Sequence, residues 1–424
     1  MINRRFSMYL QRLIERNPQL LETALKLHQS GRIPTNAWVI DLDTIVDNAR
    51  VLAAEAHRLG LTTYLMSKQY NRNPYVSALA LANGLDKIVA VDAMCSLMAR
   101  RFNLPVGHMG HLNQLPRHMI PALLALRPDV ITIYNVEHAR WIDEAAAKLG
   151  IVQDLMLRVY APGDLFFDGQ EGGFAEQEIP AIVQALAQFS HVRLVGVTAF
   201  PCVVYNHKPG EKMEVSPNMH TVQRAAATLR QLGIEVKQIN APGNTSSITM
   251  PLLAQHGATH VEPGHGLLGT TPNHAFNGSL PERPAYAYVT EISHHFGGRA
   301  YAYGGGIFHD GYLGTINALV GSSWEEARHN QVEYLHEIEQ IIDYHMVLQP
   351  GERCKVGDTA LFCYRTQMQM TRSYIALISG LSGKRELKVH YLFDHANNAL
   401  DEQFNPIAPE RVLADIKSLS ASYV

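Results

Sequence analysis

Short apolar runs alternate with amphipathic stretches over the middle of the chain. The runs have the length of buried strands, and the stretches between them have the period of helices. Helices are predicted, for example, over 139–149, 178–189 and 217–232. Eight strands are predicted, at Thr62–Ser67, Lys87–Val91, Pro105–His108, Val130–Tyr134, Asp154–Tyr160, Arg193–Ala199, Val236–Asn240 and Thr259–Glu262. Eight βα units in succession predict an α/β fold of the TIM type, a closed (β/α)8 barrel. The competing fold, an open doubly wound sheet, is disfavoured because no GxGxxG motif follows the first of these strands.

The regions on either side of this alternation have other patterns. Amphipathic helices are predicted over residues 4–30, then a strand at Ala37–Asp41 and a helix from about Leu42 to Leu59. Past residue 280, β-rich stretches predominate, and one helix is predicted from Trp324 at least to Asn330. These stretches are Tyr286–Ile292, Ala300–Gly304, Thr359–Tyr364 and Tyr374–Ile378. We therefore predict an N-terminal helical extension (1–35), the barrel (36–280) and a C-terminal mainly-β domain (281–424).

Composition narrows the class of protein. Of the 424 residues, 46% are hydrophobic and 18% charged, and the net charge is −3, which gives no electrostatic reason to bind nucleic acid or a membrane surface. The N-terminus lacks the apolar stretch of a secretory signal, and the four cysteines show no CxxC spacing. We expect a cytoplasmic protein without a disulfide framework or a bound metal.

The residues with reactive side chains lie where the predicted strands end, and these ends form the mouth of a barrel. Lys68 ends the first strand, and an amine in the low dielectric of a barrel mouth is suited to imine chemistry. A surface lysine at the start of a loop is the alternative interpretation. Glu262 ends the eighth strand, where a buried carboxylate requires a cationic partner.

Two turns follow the seventh and eighth strands, which is the recurrent phosphate site of such barrels. The first contains Asn244, Thr245 and Ser246, and the second contains Gly264, His265 and Gly266. Either could be an ordinary turn, but together they predict an anion site. With Lys68 for an aldehyde and Glu262 for a ring nitrogen, this set fits pyridoxal 5'-phosphate.

With these motifs, residues 36–420 resemble the alanine racemase-like, fold-type-III class of pyridoxal-phosphate enzymes. The chain is most similar to the uncharacterised YhfX-like group of amino-acid racemases. The segment AWVIDLDTIVDNA resembles the opening segment of the class, and Lys68 matches its Schiff-base lysine. The run from Val261 to Gly269 is similar to its phosphate loop. The segment from His309 to Gly314 resembles the part that reaches the partner's active site, which implies a homodimer with shared sites.

The chain departs from alanine racemases in two places. Their arginine facing the pyridine nitrogen is replaced by Glu262, and Glu-Pro-Gly at this position is similar to the decarboxylases of the same fold. Their opposite-face tyrosine aligns with Phe308, beside His309. We therefore consider His309, Cys363 and Tyr364 as the second acid or base, with Asp310 and Tyr312 lining the pocket from the partner subunit. Ordinary dimer packing is the alternative interpretation for all five.

Three further residues are candidates for the cofactor pocket. Arg158 could neutralise the cofactor or the substrate carboxylate, or form a structural ion pair. Phe200 could pack on the cofactor ring, although core packing is the more common role of such a residue. His111 could line the pocket, whereas metal binding by His108 and His111 is disfavoured because amidohydrolase-type histidines follow the first strand.

The predicted function is that of an amino-acid racemase, in which Lys68 and a group from the other subunit exchange the α-proton on opposite faces. A decarboxylase, or an aldolase acting on a β-hydroxy amino acid, is the first alternative. A non-catalytic cofactor-binding protein is the second, disfavoured by the C-terminal domain. A metal-dependent hydrolase is the third. The expected partners are a small amino-acid substrate and a second copy of the chain.

Overall fold

The computed structural model of the protein describes residues 8–206, 212–307, 316–335, 343–365, 372–383 and 385–422. The chain divides into two compact units. The barrel unit comprises Ala49–Lys68 and Ala80–Gly266, and the β unit comprises the residues up to Asn48, Gln69–Leu79 and the chain from Leu267 onward. Both units are built from segments that are not contiguous in the sequence.

The first elements confirm the predicted order of helix, strand and helix. The strand is buried along its whole length, as expected for its apolar run Ala37–Ile40. The elements are α1 Met8–Arg16, α2 Pro18–Gln29, β1 Ala37–Asp41 and α3 Leu42–Arg58.

Eight parallel strands form the closed barrel that the alternating pattern predicts. The strand order is β5-β4-β3-β2-β12-β11-β8-β6, and pairing of β5 with β6 closes it. The strands of this region are β2 Thr62–Met66, β3 Lys87–Ala90, β4 Val106–Met109, β5 Val130–Ile133, β6 Gln153–Tyr160, β7 Phe174–Ala175, β8 Val192–Thr198, β9 Val203–Asn206, β10 Lys212–Val215, β11 Gln238–Asn240 and β12 His260–Val261. The short β7 pairs with the end of β6, and β9 forms a hairpin with β10.

The helices between these strands begin and end at residues suited to those positions. In α7, Asn135 caps the N-terminus by accepting a hydrogen bond from the backbone N–H of His138, and Gly150 ends the helix with a left-handed φ of 63°. Asp92 caps α5 in the same way. The helices are α4 Pro74–Ala82, α5 Ala93–Arg101, α6 Ile120–Leu124, α7 Val136–Leu149, α8 Ile179–Leu186, α9 Pro217–Gln231, α10 Met250–Gln255, α11 His265–Leu268 and α12 Pro272–Phe276.

The β unit contains a ten-stranded sheet in the order β14-β17-β16-β15-β18-β13-β1-β19-β20-β21. A further pairing between β13 and β14 closes its first six strands on themselves. The elements are β13 Tyr286–Phe296, β14 Arg299–Tyr303, β15 Asn317–Gly321, α13 Trp324–Ala327, β16 Gln331–Tyr334, β17 His345–Gln349, β18 Thr359–Phe362, β19 Tyr374–Ser379, β20 Lys388–Phe393, β21 Ala399–Leu400 and α14 Pro409–Ser422. This confirms the mainly-β C-terminal region.

Two details differ from the sequence predictions. The predicted helix from Trp324 is shorter than expected, because Asn330 turns its side chain back to donate hydrogen bonds to the carbonyls of Val320 and Arg353. The strand β1, which we had placed at the start of the barrel region, pairs with β13 and β19 and so belongs to the β unit. None of the described helices is long and apolar enough to cross a membrane.

Candidate active site

A network of polar side chains crosses the interior of the barrel. His108 on β4 contacts the Glu262 carboxylate, which directly follows β12, with 2.8 Å between Nδ1 and Oε1. In the strand order β3 and β2 lie between β4 and β12, so this contact spans the interior rather than neighbouring strands. Asn240, at the end of β11, donates its Nδ2–H to the same oxygen at 2.8 Å. On β5, the hydroxyl of Thr132 is 2.6 Å from His108 Nε2. Four strands therefore supply one buried polar network.

The second carboxylate oxygen of Glu262 is in a different situation. The side chain is only 1% exposed, and among the described residues its Oε2 atom has no hydrogen-bond partner. The ring of His111 lies close to this oxygen, with 3.4 Å between its Nε2 and Oε2. Because an unpaired buried acceptor costs roughly 1 to 3 kcal/mol, this oxygen is suited to a donor that a ligand brings.

The charge states of this network follow from burial and hydrogen bonding. Burial lowers the pKa of His111 to about 3, so its ring is neutral at pH 7. Burial alone would raise the pKa of Glu262, but the nearby histidines and the donors of His108 and Asn240 hold it below its ordinary value. Since a neutral His111 cannot supply an ion pair, we attribute the anionic carboxylate to the N–H groups of His108 and Asn240.

Lys68 lies beside this network. It is half-buried and follows β2 closely, and the backbone N–H of Met66 donates to the carbonyl of Pro263 at 2.8 Å. That bond ties the chain just before Lys68 to the turn just after Glu262. The positive charge of Lys68 contributes to the lowered pKa of His111, so the amine lies within electrostatic range of that ring.

The two turns predicted to hold a phosphate are joined to each other. Thr245 forms an isolated parallel bridge with Pro263. A Cβ atom on Gly266 would lie 2.4 Å from the carbonyl oxygen of Thr245, so this close approach requires glycine. The Thr245 hydroxyl is buried and has no partner among the described residues. The backbone of Thr245 therefore lies beside that of Pro263 and Gly266.

The neighbouring candidates Asn244 and Ser246 have local roles. The side-chain amide of Asn244 donates to the carbonyl of Val203 at 3.3 Å. The backbone N–H of Ser246 donates to the Thr249 hydroxyl at 2.9 Å. The Ser246 hydroxyl is also 3.4 Å from the Thr249 hydroxyl, so of the two hydroxyl-bearing residues Thr245 is the one whose hydroxyl is left for a ligand.

Aromatic rings and an arginine surround His111. The ring of Phe200 meets the His111 ring edge to face, with 5.6 Å between their centroids, and the ring of Phe167 lies 5.6 Å from that of Phe200. Arg158, on β6, donates to the Tyr134 hydroxyl and to the carbonyl of Gln170. Both of these partners are neutral. Arg158 therefore fixes the loop after β6 through hydrogen bonds and not through the structural ion pair considered above.

A metal ion is a second ligand that this network could accept. One ligand atom from each of His108, His111 and Glu262 lies within 4.8 Å of the others. Both nitrogens of His108 are already hydrogen-bonded, however, so a metal would have to replace one of these bonds. The described geometry therefore fits an organic cation beside Glu262 better than a metal.

The remaining candidates belong to the β unit. Cys363 is completely buried, and burial raises the pKa of its thiol to about 12, which disfavours proton exchange. Tyr364 forms an aromatic cluster with Trp38 and Tyr286, and its hydroxyl donates to the carbonyl of Gly306 at 2.7 Å. Their burial argues against Cys363 and Tyr364 as the second acid or base. Three other predicted residues, His309, Asp310 and Tyr312, lie outside the described residues.

Sequence reasoning missed the partners of Glu262. We had weighed His108 only as a metal ligand, and we had not considered Thr132 or Asn240. A detectable signal existed, because each is a polar residue in or at the end of a short apolar strand. That these residues meet in one network around Glu262 could not be predicted from each strand taken alone.

Comparison with known proteins assigns the chain to a class. The alanine racemase N-terminal domain family matches residues 40–272, which is more than half of the chain, so the protein belongs to this family. The YhfX-like C-terminal domain family matches residues 287–387. The uncharacterized protein YhfX of Escherichia coli (strain K12) is 40% identical over 394 residues, which cover 93% of this chain and 100% of that protein. Within the class, the chain is a YhfX-like protein.

Solved structures of the same fold include enzymes with different names. D-threonine aldolase from Filomicrobium marinum matches with a TM-score of 0.62 at 16% identity, over 86% of this chain and 96% of that one. Alanine racemase from Corynebacterium glutamicum matches with a TM-score of 0.55 at 17% identity, over 78% and 89% of the two chains. At such identities these similarities establish the fold and leave the reaction open.

Proposed function

We propose that this protein is a pyridoxal-phosphate-dependent amino-acid racemase that uses Lys68. The observation that carries the proposal is the buried Glu262 carboxylate, whose Oε2 atom has no hydrogen-bond partner in the described part of the chain, while Lys68 and Thr245 lie on adjoining turns. Its membership in the alanine racemase N-terminal domain family supports the same cofactor. A metal-dependent hydrolase is disfavoured because both nitrogens of His108 are already engaged.

The residues present fit the cofactor at three points. Lys68 would hold its aldehyde as a Schiff base, and Glu262 Oε2 would accept a hydrogen bond from its protonated ring nitrogen. The Thr245 hydroxyl and the backbone at Gly264 and Gly266 would hold its phosphate. When bound, pyridoxal phosphate acts as an electron sink that makes the Cα–H bond of an amino acid acidic.

The chain itself has to bind, orient and move protons. Glu262, kept anionic by Asn240 and His108, orients the ring-nitrogen end of the site. Lys68 Nζ is the group that would take or give the α-proton on one face. Phe200 and His111 would bound the pocket with an aromatic wall. Arg158 keeps the loop after β6 in place through Gln170.

The second proton carrier decides between a racemase and its alternatives. Our racemase proposal assigns it to His309, with Asp310 and Tyr312 nearby, contributed by the second subunit of a cytoplasmic homodimer. The burial of Cys363 leaves no well-suited acid or base among the residues of the β unit that we had considered and that the structure describes. This observation favours the first alternative, a decarboxylase or an aldolase acting on a β-hydroxy amino acid, because neither reaction requires proton exchange on both faces of Cα.

A deuterium-exchange panel tests the proposal. The purified holoprotein is incubated in heavy water with L- and D-amino acids, and α-deuterium is followed together with optical rotation. A racemase incorporates deuterium and loses chirality, whereas an aldolase releases an aldehyde from β-hydroxy substrates, and a decarboxylase releases carbon dioxide. Bound cofactor with no exchange, no aldehyde release and no carbon dioxide release from any amino acid would contradict the enzyme proposal and favour a cofactor carrier.

A further inference from the structure

We propose that His108 is a positioning residue for Glu262: it holds one carboxylate oxygen so that the other faces the cofactor's ring nitrogen. This inference rests on the proposed cofactor. It concerns a buried titratable side chain that the proposed proton transfers do not use. His108 lies on β4, and its own side chain is completely buried.

The geometry fixes the direction of the carboxylate. Glu262 Oε1 is 2.8 Å from His108 Nδ1 and also accepts the Nδ2–H of Asn240 at 2.8 Å. Two donors on one oxygen hold the plane of the carboxylate and leave Oε2 for another partner. When the hydrogen bonds from the protein go to one oxygen of a carboxylate, they fix its orientation and leave the other oxygen for a ligand.

Thr132 sets the orientation of His108 in turn. Its hydroxyl is 2.6 Å from His108 Nε2, so both ring nitrogens have a partner and the ring cannot turn freely. Because the ionised Glu262 carboxylate can only accept, the hydrogen bond at Nδ1 requires the proton on that nitrogen. Nε2 then accepts from the Thr132 hydroxyl in the neutral ring and donates to it in the charged ring. In either form the N–H at Nδ1 is directed at Glu262. Thr132 therefore orients His108, and His108 orients the Glu262 carboxylate toward the ligand site.

The competing explanation is that His108 only fills space in the barrel core. A purely structural role predicts that any well-packed replacement leaves Glu262 unchanged. A positioning role predicts that losing the donor affects the ring nitrogen of the cofactor specifically. The two explanations therefore predict different affinities for a cofactor analogue that lacks this nitrogen. A structural role predicts that losing His108 weakens the analogue as much as pyridoxal phosphate, whereas a positioning role predicts no loss of affinity for the analogue.

The experiment compares three variants reconstituted with pyridoxal phosphate. His108→Phe removes both hydrogen bonds, and His108→Gln keeps a donor and an acceptor. The matched control is His260→Gln on β12: this histidine is also largely buried, but its ring nitrogen is 2.7 Å from the Thr259 hydroxyl. Two quantities are measured, the 15N chemical shift of a labelled cofactor ring nitrogen and the dissociation constants for pyridoxal phosphate and its 1-deaza analogue.

We expect His108→Phe to move the nitrogen shift toward the unprotonated value and to weaken pyridoxal phosphate about tenfold, the size of one lost hydrogen bond to a charged group. His108→Gln should recover most of this affinity, and His260→Gln should match the wild type. The 1-deaza analogue should bind wild type and His108→Phe equally well. If His108→Phe does not fold, Thr132→Val should show a smaller change in the same direction.

Other outcomes overturn the inference. An unchanged nitrogen shift in His108→Phe, or an equal loss of affinity for the 1-deaza analogue, would assign His108 a structural role only. An unchanged shift in Thr132→Val would do the same if the Phe variant cannot be prepared. Wild-type protein that binds no pyridoxal phosphate, or that binds a stoichiometric metal instead, would remove the proposed function and this inference with it.

Discussion

The polar network of the barrel and the aromatic cluster of the β unit are both buried, yet they differ in how their polar atoms are satisfied. In the barrel, Glu262 Oε2, His111 Nδ1 and the Thr245 hydroxyl have no hydrogen-bond partner among the described residues. In the aromatic cluster, the Tyr286 hydroxyl donates to the carbonyl of Tyr364 and accepts its backbone N–H. The indole N–H of Trp38 donates to the carbonyl of Gly306 at 3.0 Å.

This difference separates a binding site from a structural core. Each unpaired buried polar atom lowers the free energy of unfolding, so a set of them at one place indicates a ligand that completes their hydrogen bonds. A core whose hydroxyls are all paired needs nothing further. Substitutions in the first region should therefore change function, and those in the second should change stability.

The largest expected effect concerns Lys68. Lys68→Ala removes the amine that would bind the aldehyde and carry the α-proton, so the rate of α-deuterium exchange should fall roughly 10³-fold or more. Borohydride treatment followed by mass spectrometry should fix cofactor to Lys68 in the wild type and to no lysine in the variant. The melting temperature of the apoprotein should change little. A variant that keeps its exchange rate would contradict the proposed role of Lys68.

Glu262→Gln should give the next largest effect and separate function from stability. The substitution keeps the shape of the side chain but removes the charge that would pair with the ring nitrogen, so we expect exchange to slow about a hundredfold. Because a buried carboxylate with one unpaired oxygen is costly, the apoprotein should be as stable as the wild type or more stable by about 1 kcal/mol. Calorimetry of the apoprotein checks this, and a large loss of apo stability would refute it.

A buried histidine in the β unit should make stability depend on pH. Burial lowers the pKa of His28 to about 4, below its value in the unfolded chain, so unfolding takes up a proton between about pH 4 and 6.5. The stability that His28 contributes is present above pH 6.5 and is lost as the pH falls toward 4. Urea titrations at about pH 6.5 and pH 4 check this. Between these two pH values, the free energy of unfolding of His28→Gln should fall by about 2 kcal/mol less than that of the wild type. Parallel pH profiles for the two proteins would contradict this assignment.

The smallest expected effect is at Tyr286 in the aromatic cluster. Tyr286→Phe keeps the ring, which stacks on Trp38 with 4.7 Å between centroids, but removes the hydroxyl that pairs with Tyr364. We expect the free energy of unfolding to fall by about 1 kcal/mol, measured by urea denaturation. Cofactor affinity should stay at the wild-type value. A change in affinity larger than the change in stability would mean that this cluster also serves the ligand.

The barrel was predictable because its signal is local and repeated. Each of the eight strands is a short apolar run, and all eight are confirmed within a few residues of their predicted bounds. The place of β1 was not predictable, because its apolar run Ala37–Ile40 is buried on both faces and such a strand fits either sheet. Its pairing with β13 and β19 depends on segments more than 240 residues further along. The short α13 likewise depends on a contact of Asn330 with Arg353.

The sequence by itself determined the kind of fold and the positions of Lys68, Thr245 and Glu262 at the ends of barrel strands, because strand order along the chain sets which loops reach the mouth. Only the tertiary structure decided which polar atoms of these residues remain available to hydrogen-bond a ligand. His108 and Glu262 are 154 residues apart, and they meet because the closed barrel brings β4 and β12 to face each other across its interior. The burial of Cys363 was decided in the same way, by packing among distant segments that no local pattern records. Hydrogen bonding and burial are set by neighbours in space, whereas a sequence shows only neighbours along the chain.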